Sequence, residues 1–145
     1  HSQCVTGDIF HSLKCDCGEQ LDKSLDIMVK NGEGILIYLP QEGRDIGLTN
    51  KIRAYKLQEN GLDTVDANLT LGFRDDERSY DVAVTILKKL NFKKINLITN
   101  NPNKVKKLND EGLKVIKKIK LKIEPNEINK EYLNTKKNKS NHIFD

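Results

Sequence analysis

The sequence predicts an α/β domain in which helices cover a largely buried sheet. Two patterns carry the prediction: short apolar runs rich in β-branched residues alternate with segments of helical spacing, and glycine or proline punctuates their junctions. The length of 145 residues suffices for one core and not for two, so residues 1–145 are expected to form a single domain.

Taken in order, residues 18–34 (GEQLDKSLDIMVKNGEG) place Leu21, Leu25 and Met28 at helical spacing and stop at Gly32, a good C-terminal cap residue. The run GILIYL, 34–39, reads as a short buried strand ended by Pro40. QEGRDIG, 41–47, is a polar, glycine-bearing loop, and 48–61 is a second helix closed at Gly61. Signals are mixed over 62–73, which is expected to be irregular with one short strand. A third helix over 79–91 sets Val82, Ile86 and Leu90 on one side. KINLIT, 94–99, is a second buried strand, and 100–112 is a short helix begun at Asn-Pro and capped by Gly112. Residues 113–121 alternate well enough for an edge strand. The remainder, 124–145, is expected to hold one helix and a frayed end. No internal repeat is visible.

Hydrophobic residues make up 37% and charged residues 32%, which excludes disorder as the main state. No apolar run approaches bilayer length, and HSQCVTGD has neither the basic region nor the apolar core of a secretory signal, so a cytoplasmic location is expected. The first residue is His rather than Met, and a segment is expected to be missing upstream. The net charge of +4 is uneven: residues 104–145 hold twelve lysines against six acidic residues, while 1–103 hold thirteen basic and fifteen acidic ones. A nucleic-acid face is one reading of the lysines; the wet side of a strand or helix is the commoner one. Lysine outnumbers arginine 21 to 4, and Arg44, Arg53, Arg74 and Arg78 all fall between 44 and 78. Arginine is expected where a rigid fork grips phosphate or carboxylate; Arg53 and Arg74 read as ordinary surface residues.

All three cysteines lie within the first seventeen residues. Their odd number and the lack of an export signal argue for reduced thiols. Cys4 and the pair Cys15-Asp16-Cys17 can present three thiolates to one Zn²⁺ and leave a fourth position open, the mark of a catalytic zinc, unless His1 or His11 closes it. A zinc-held water has its pKa lowered from about 15.7 to about 7, which supplies a hydrolytic nucleophile. The polar neighbours Lys14, Asp16, Glu19 and Gln20 argue against three inert, buried thiols. Glu42, Gly43 and Arg44 combine an acceptor, a close backbone approach and a guanidinium, which suit a polyphosphate or its Mg²⁺. In FRDDERSY an extended backbone points Asp76 and Arg78 to the same side, where the carboxylate can orient the guanidinium or take a proton. Thr99 at a strand end and Lys104 in the following helix mark a common phosphate position.

Taken together, HSQCVTGD, CDCGEQL, YLPQEGRDIGL, NKIRAY, DTVDAN, DERSY and LITNNPNKV resemble the GTP cyclohydrolase II family from His1 through Lys104, and the tail EYLNTKKNKSNH is similar to the family's ending. The resemblance implies a three-layer arrangement of helices around a mostly buried mixed sheet. It implies hydrolytic opening of the guanine imidazole ring of GTP at the start of riboflavin synthesis, with release of formate and pyrophosphate. Cys4, Cys15 and Cys17 match the zinc ligands. His1, Ser2, Gln3, Gln20, Glu42, Gly43, Arg44, Thr64, Thr99 and Lys104 match positions that hold GTP, and Gln3 stands where the family typically has Glu. Tyr55 matches the tyrosine beside the ring, Asp76 the proposed proton acceptor, and Arg78 the residue proposed to attack the α-phosphate. A guanidinium is a poor nucleophile, so Arg78 reads equally as an electrostatic clamp. Mg²⁺, a homodimer and fusion to an upstream riboflavin-pathway domain are further implications. The competing readings are a non-catalytic zinc module whose lysine-rich end contacts nucleic acid, and a GTP-binding relative of altered or lost activity.

Overall fold

The computed structural model describes residues 1–139. In chain order these form α1 (Val5–Asp8), α2 (Cys17–Asn31), α3 (Glu42–Asp45), α4 (Gly47–Glu59), α5 (Thr64–Thr70), α6 (Asp81–Lys89), β1 (Lys94–Ile98), α7 (Pro102–Asp110), β2 (Lys114–Ile119) and α8 (Lys130–Lys139). Local chemistry sets most boundaries. Gly32 closes α2 at φ 81°, where a side chain would be strained. Asn101 caps α7 by accepting from the Asn103 amide at 2.9 Å, and Pro102 follows where its missing N–H costs nothing.

β1 and β2 pair in parallel, Lys94 opposite Lys114 and Ile98 opposite Ile119, with an irregularity between Ile95 and Asn96. α7 supplies the crossover that a parallel pair requires. The core gathers Leu39, Tyr80, Ala83, Val84, Leu87, Leu108 and the fully buried Leu113, with Ile37, Ile95, Leu97 and Val115 against it. Each large aliphatic side chain buried there contributes about 1.5–3 kcal/mol.

Four expectations are corrected. Among the described residues the run 34–39 is not a ladder strand: its one bridge is parallel, between Ser2 and Leu39, and Ile35, Leu36 and Tyr38 are each 40% or more exposed. Between it and β1 lies a cleft of about 660 Å³, lined by Ile27 and Met28 of α2, by Ile37 and Leu39, and by Ile95 and Leu97. A strand needs a partner about 4.8 Å away, and across this cleft the apolar run has none. The expected buried, mixed sheet is therefore, among the described residues, a two-stranded parallel one whose β1 is only half-buried. Residues 62–73 are helical at their centre, because Asp63 caps α5 by accepting from the amides of Val65 and Asp66. Finally, Val82 of α6 and Leu90, its C-cap, are more than half exposed, and the packed stripe of the helix is Ala83, Val84 and Leu87. With Tyr80 that stripe follows the i, i+3, i+4, i+7 pattern, anchored by an aromatic residue one position before the helix.

β2 and α8 occur where an edge strand and a terminal helix are expected. Residues 140–145 of the expected frayed end lie outside the described residues. Among the described residues no helix is long and apolar enough to cross a membrane.

Candidate active site

Cys4 leads into α1, Cys17 begins α2, and Cys15 precedes it, so two helix starts deliver the thiols to one point. The three sulfurs lie within 4.8 Å of one another, and those of Cys4 and Cys15 are 3.7 Å apart. Glycine makes the approach possible. A Cβ on Gly7 would stand 3.0 Å from the Cys15 sulfur and 3.3 Å from that of Cys4, and a Cβ on Gly18 would clash with the Gly7 carbonyl at 2.4 Å. Hydrogen bonds from Cys15 and Cys17, with Lys51 helping, outweigh burial and hold the Cys4 thiol well below the ordinary thiol range. Cys15 moves the other way: Cys4 and burial outweigh the help of Cys17. Crowded thiols of this kind cannot all ionise alone, and they suit a soft divalent cation. Tetrahedral Zn–S bonds of about 2.3 Å put sulfurs about 3.8 Å apart. The donor set therefore fits zinc.

Neither expected histidine joins the sulfurs. His1 Nε2 lies 3.0 Å from Asp8 Oδ1 and its ring stacks on Tyr38, while His11 is exposed at φ 52°. Asp8 also accepts from the Cys4 amide at 2.9 Å and from the Tyr38 hydroxyl at 2.7 Å, tying the thiol loop to the extended run. Desolvation and this bond to Asp8 push the Tyr38 phenol up to about 12.

Glu42 is buried in the wall between the sulfurs and α4. Its Oε2 accepts from the Val5 amide at 2.6 Å, and its Oε1 accepts from Lys51 Nζ at 2.7 Å and from the Gly43 amide at 3.1 Å. Gly43 and Arg44 follow in a left-handed turn at φ 64° and 60°. For Arg44 that conformation costs on the order of 1 kcal/mol. Bonds from its Nη1 to the Asp75 carbonyl and carboxylate, and from the Glu77 amide to its own carbonyl, offset the cost.

At the far end Arg78 Nε and Nη2 donate to Asp76 Oδ1 and Oδ2 at 2.8 and 2.7 Å, the pairing that their spacing predicts. Burial would raise the Asp76 carboxyl, but Arg78 outweighs it and holds it at about 2. The guanidinium is held above its ordinary value by the same pair, against its burial. Arg53 donates to Asn50 at the surface, and Arg74 pairs with Glu77 there, as ordinary surface residues do.

A cleft of about 140 Å³ joins the two ends. All three cysteines line it, with His1, Ser2, Gln3, Gln20, Glu42, Gly43 and Arg44. Tyr55, Thr64, Arg78, Thr99 and Lys104 complete the predicted set. Asp76 is not on the wall; it stands against Arg78. Burial pushes the Tyr55 phenol up, so it stays a donor. The Gln20 amide is oriented by the fully buried Asp16. Sequence reasoning missed Lys51, Asn68, Asn100, Asn101 and Tyr132, which also line the cleft. Lys51 was the findable one, because it stands four residues before Tyr55 and so shares its helix face. Tyr132 carries no local signal; α8 brings it in from the far end of the chain.

Comparison with known proteins identifies the family of the chain. The family profile described as GTP cyclohydrolase II matches residues 1–120. A GTP cyclohydrolase-2 of Buchnera aphidicola is 55% identical over 144 residues, 99% of this chain and 72% of its own length. One from Campylobacter hominis is 53% identical over the whole chain and 74% of its own length. The riboflavin biosynthesis protein RibBA of Chlorobium phaeovibrioides is 52% identical over 99% of this chain, which spans only 35% of that relative. The profile covers far more than half of the sequence, and its span includes the thiol loop, the left-handed turn and the Asp76–Arg78 pair of this chain, so the chain belongs to the GTP cyclohydrolase II family.

Proposed function

We propose that the protein hydrolyses GTP, opening the imidazole ring of its guanine with loss of formate and pyrophosphate, as the first step of riboflavin biosynthesis. The observation that carries this reading is the convergence of three thiols, a paired arginine and a strand-end threonine and lysine on one cleft. Cys4, Cys15 and Cys17 would hold zinc, which when bound supplies an activated water for attack on the imidazole carbon.

The chain's own groups do the rest. Gln20, held by Asp16, and Tyr55, a protonated donor, orient the base. Arg44, Thr99 and Lys104 grip the triphosphate, which brings Mg²⁺ with it. Arg78, cationic throughout the physiological range and aimed by Asp76, clamps the phosphoryl group as pyrophosphate leaves. Asp76 is too acidic to take a proton readily near neutrality, so its work is to aim Arg78. Ser2 and Gln3 close the wall beside Arg78, and Thr64 closes it at the start of α5.

In the whole protein we infer a three-layer fold, a homodimer, a cytoplasmic location and, as the longer relative suggests, fusion to a further riboflavin-pathway domain. The test is incubation of the full protein with GTP, Zn²⁺ and Mg²⁺. Formate and pyrophosphate in equal amounts are expected, and neither product would sink the reading. Pyrophosphate alone would identify a relative of altered activity.

A further inference from the structure

Lys51 is 7% exposed, a rare placement for a lysine. Its ammonium donates to Cys4 Sγ at 3.0 Å, to Thr6 Oγ1 at 2.7 Å and to Glu42 Oε1 at 2.7 Å. Three N–H bonds meet three acceptors, so the group is saturated and has no donor left for a ligand. Its stem is accommodated by Gly43, where a Cβ would stand 3.0 Å from Lys51 Cβ. The left-handed turn that shapes the substrate wall is therefore also what lets this cation reach the sulfurs.

Resting on the zinc reading above, we propose that Lys51 is a positioning residue that couples the metal centre to the substrate wall. Three thiolates around a divalent cation carry a surplus negative charge, and the buried Glu42 carboxylate adds another; Lys51 lies between Cys4 and Glu42 and offsets part of both. It fixes the direction of the Cys4 sulfur and draws electron density from it, which leaves a bound metal more electron-poor. It also anchors the carboxylate that grips the Val5 amide, and so ties α1 to α3. Its spacing from Tyr55 shows the helix face it shares, but nothing in so lysine-rich a sequence marks its burial.

The test uses the full chain loaded with Zn²⁺ or Co²⁺. Metal retention against a chelator and the thiolate-to-cobalt charge-transfer absorption are measured. Lys51→Met is expected to weaken metal binding by about tenfold or more. It should also move the absorption to lower energy, because a sulfur without a cationic donor gives up charge more readily. Lys51→Arg, which keeps the charge, should hold the band nearer to that of the wild type. If Lys51→Met does not fold, Lys51→Gln replaces it under the same criteria. Unchanged affinity and an unmoved band overturn the proposal while leaving the zinc reading intact. A wild-type chain that takes up neither ion brings down both.

Discussion

The two ends of the cleft are built on the same device, a buried cation beside a carboxylate, and they use it for opposite purposes. At the thiol end the ammonium of Lys51 is saturated by Cys4, Thr6 and Glu42. At the other end Arg78 gives Nε and Nη2 to Asp76, and among the described residues Nη1 meets Ser2, at a long 3.4 Å. A guanidinium has five N–H bonds, so one edge still faces the cleft. A lysine spends itself inward and organises; an arginine held along one edge presents the other. The contrast explains why a chain so rich in lysine keeps arginine here.

Substitutions can break or sharpen that contrast. The largest effect is expected at the organising end: Cys15→Ser should abolish formate release and metal retention, measured by formate assay and elemental analysis, while pyrophosphate loss can persist. Arg78→Lys should follow, because the charge survives but the two-pronged pairing does not. Pyrophosphate release should fall by about a hundredfold, on the scale of a lost transition-state donor. Were Arg78→Lys fully active, point charge alone would be sufficient, and the distinction between the two cations would fail.

Asp76→Asn sharpens the same end. A carboxylate held at about 2 when folded, against 3.8 ordinarily, contributes stability that is complete above about pH 4 and lost as pH falls through 2. The contribution is on the order of 2 kcal/mol. Denaturation midpoints of the wild type should fall across that acid window, and those of Asp76→Asn should fall less. Away from the cleft, Leu113→Ala removes a fully buried side chain and should cost about 2–5 kcal/mol in denaturant titrations without changing the ratio of the two products. The smallest effect is expected at Arg74→Ala, whose solvent-exposed pair with Glu77 should leave both the unfolding midpoint and the activity unchanged.

Some of this was legible residue by residue. The sulfurs, the Asp76–Arg78 spacing and the Asn-Pro start of α7 are local patterns with local consequences, and each stands where its pattern predicts. The misses share a cause. GILIYL and KINLIT are nearly interchangeable as apolar runs, yet only the second has a ladder partner among the described residues. Alternation describes what a strand buries and says nothing of what it pairs with. Around α6 the aliphatic residues Val82, Ile86 and Leu90 outweigh the smaller Ala83 by size, although the sequence also holds the stripe that begins at Tyr80. Asp63 was an overlooked cap, and a cap is enough to turn an ambiguous segment into a helix.

By itself the sequence determined which chemistry is present: soft thiols close together, a guanidinium two residues from a carboxylate, and a threonine at a strand end with a lysine in the helix that follows. Those features rest on covalent spacing and backbone geometry, which act over a few residues. Only the tertiary structure decided which of them share a cleft, that Asp76 stands behind Arg78 rather than on the wall, and that Lys51 is buried against Cys4. Desolvation and charge pairing depend on which distant segments meet, and no local pattern carries that information.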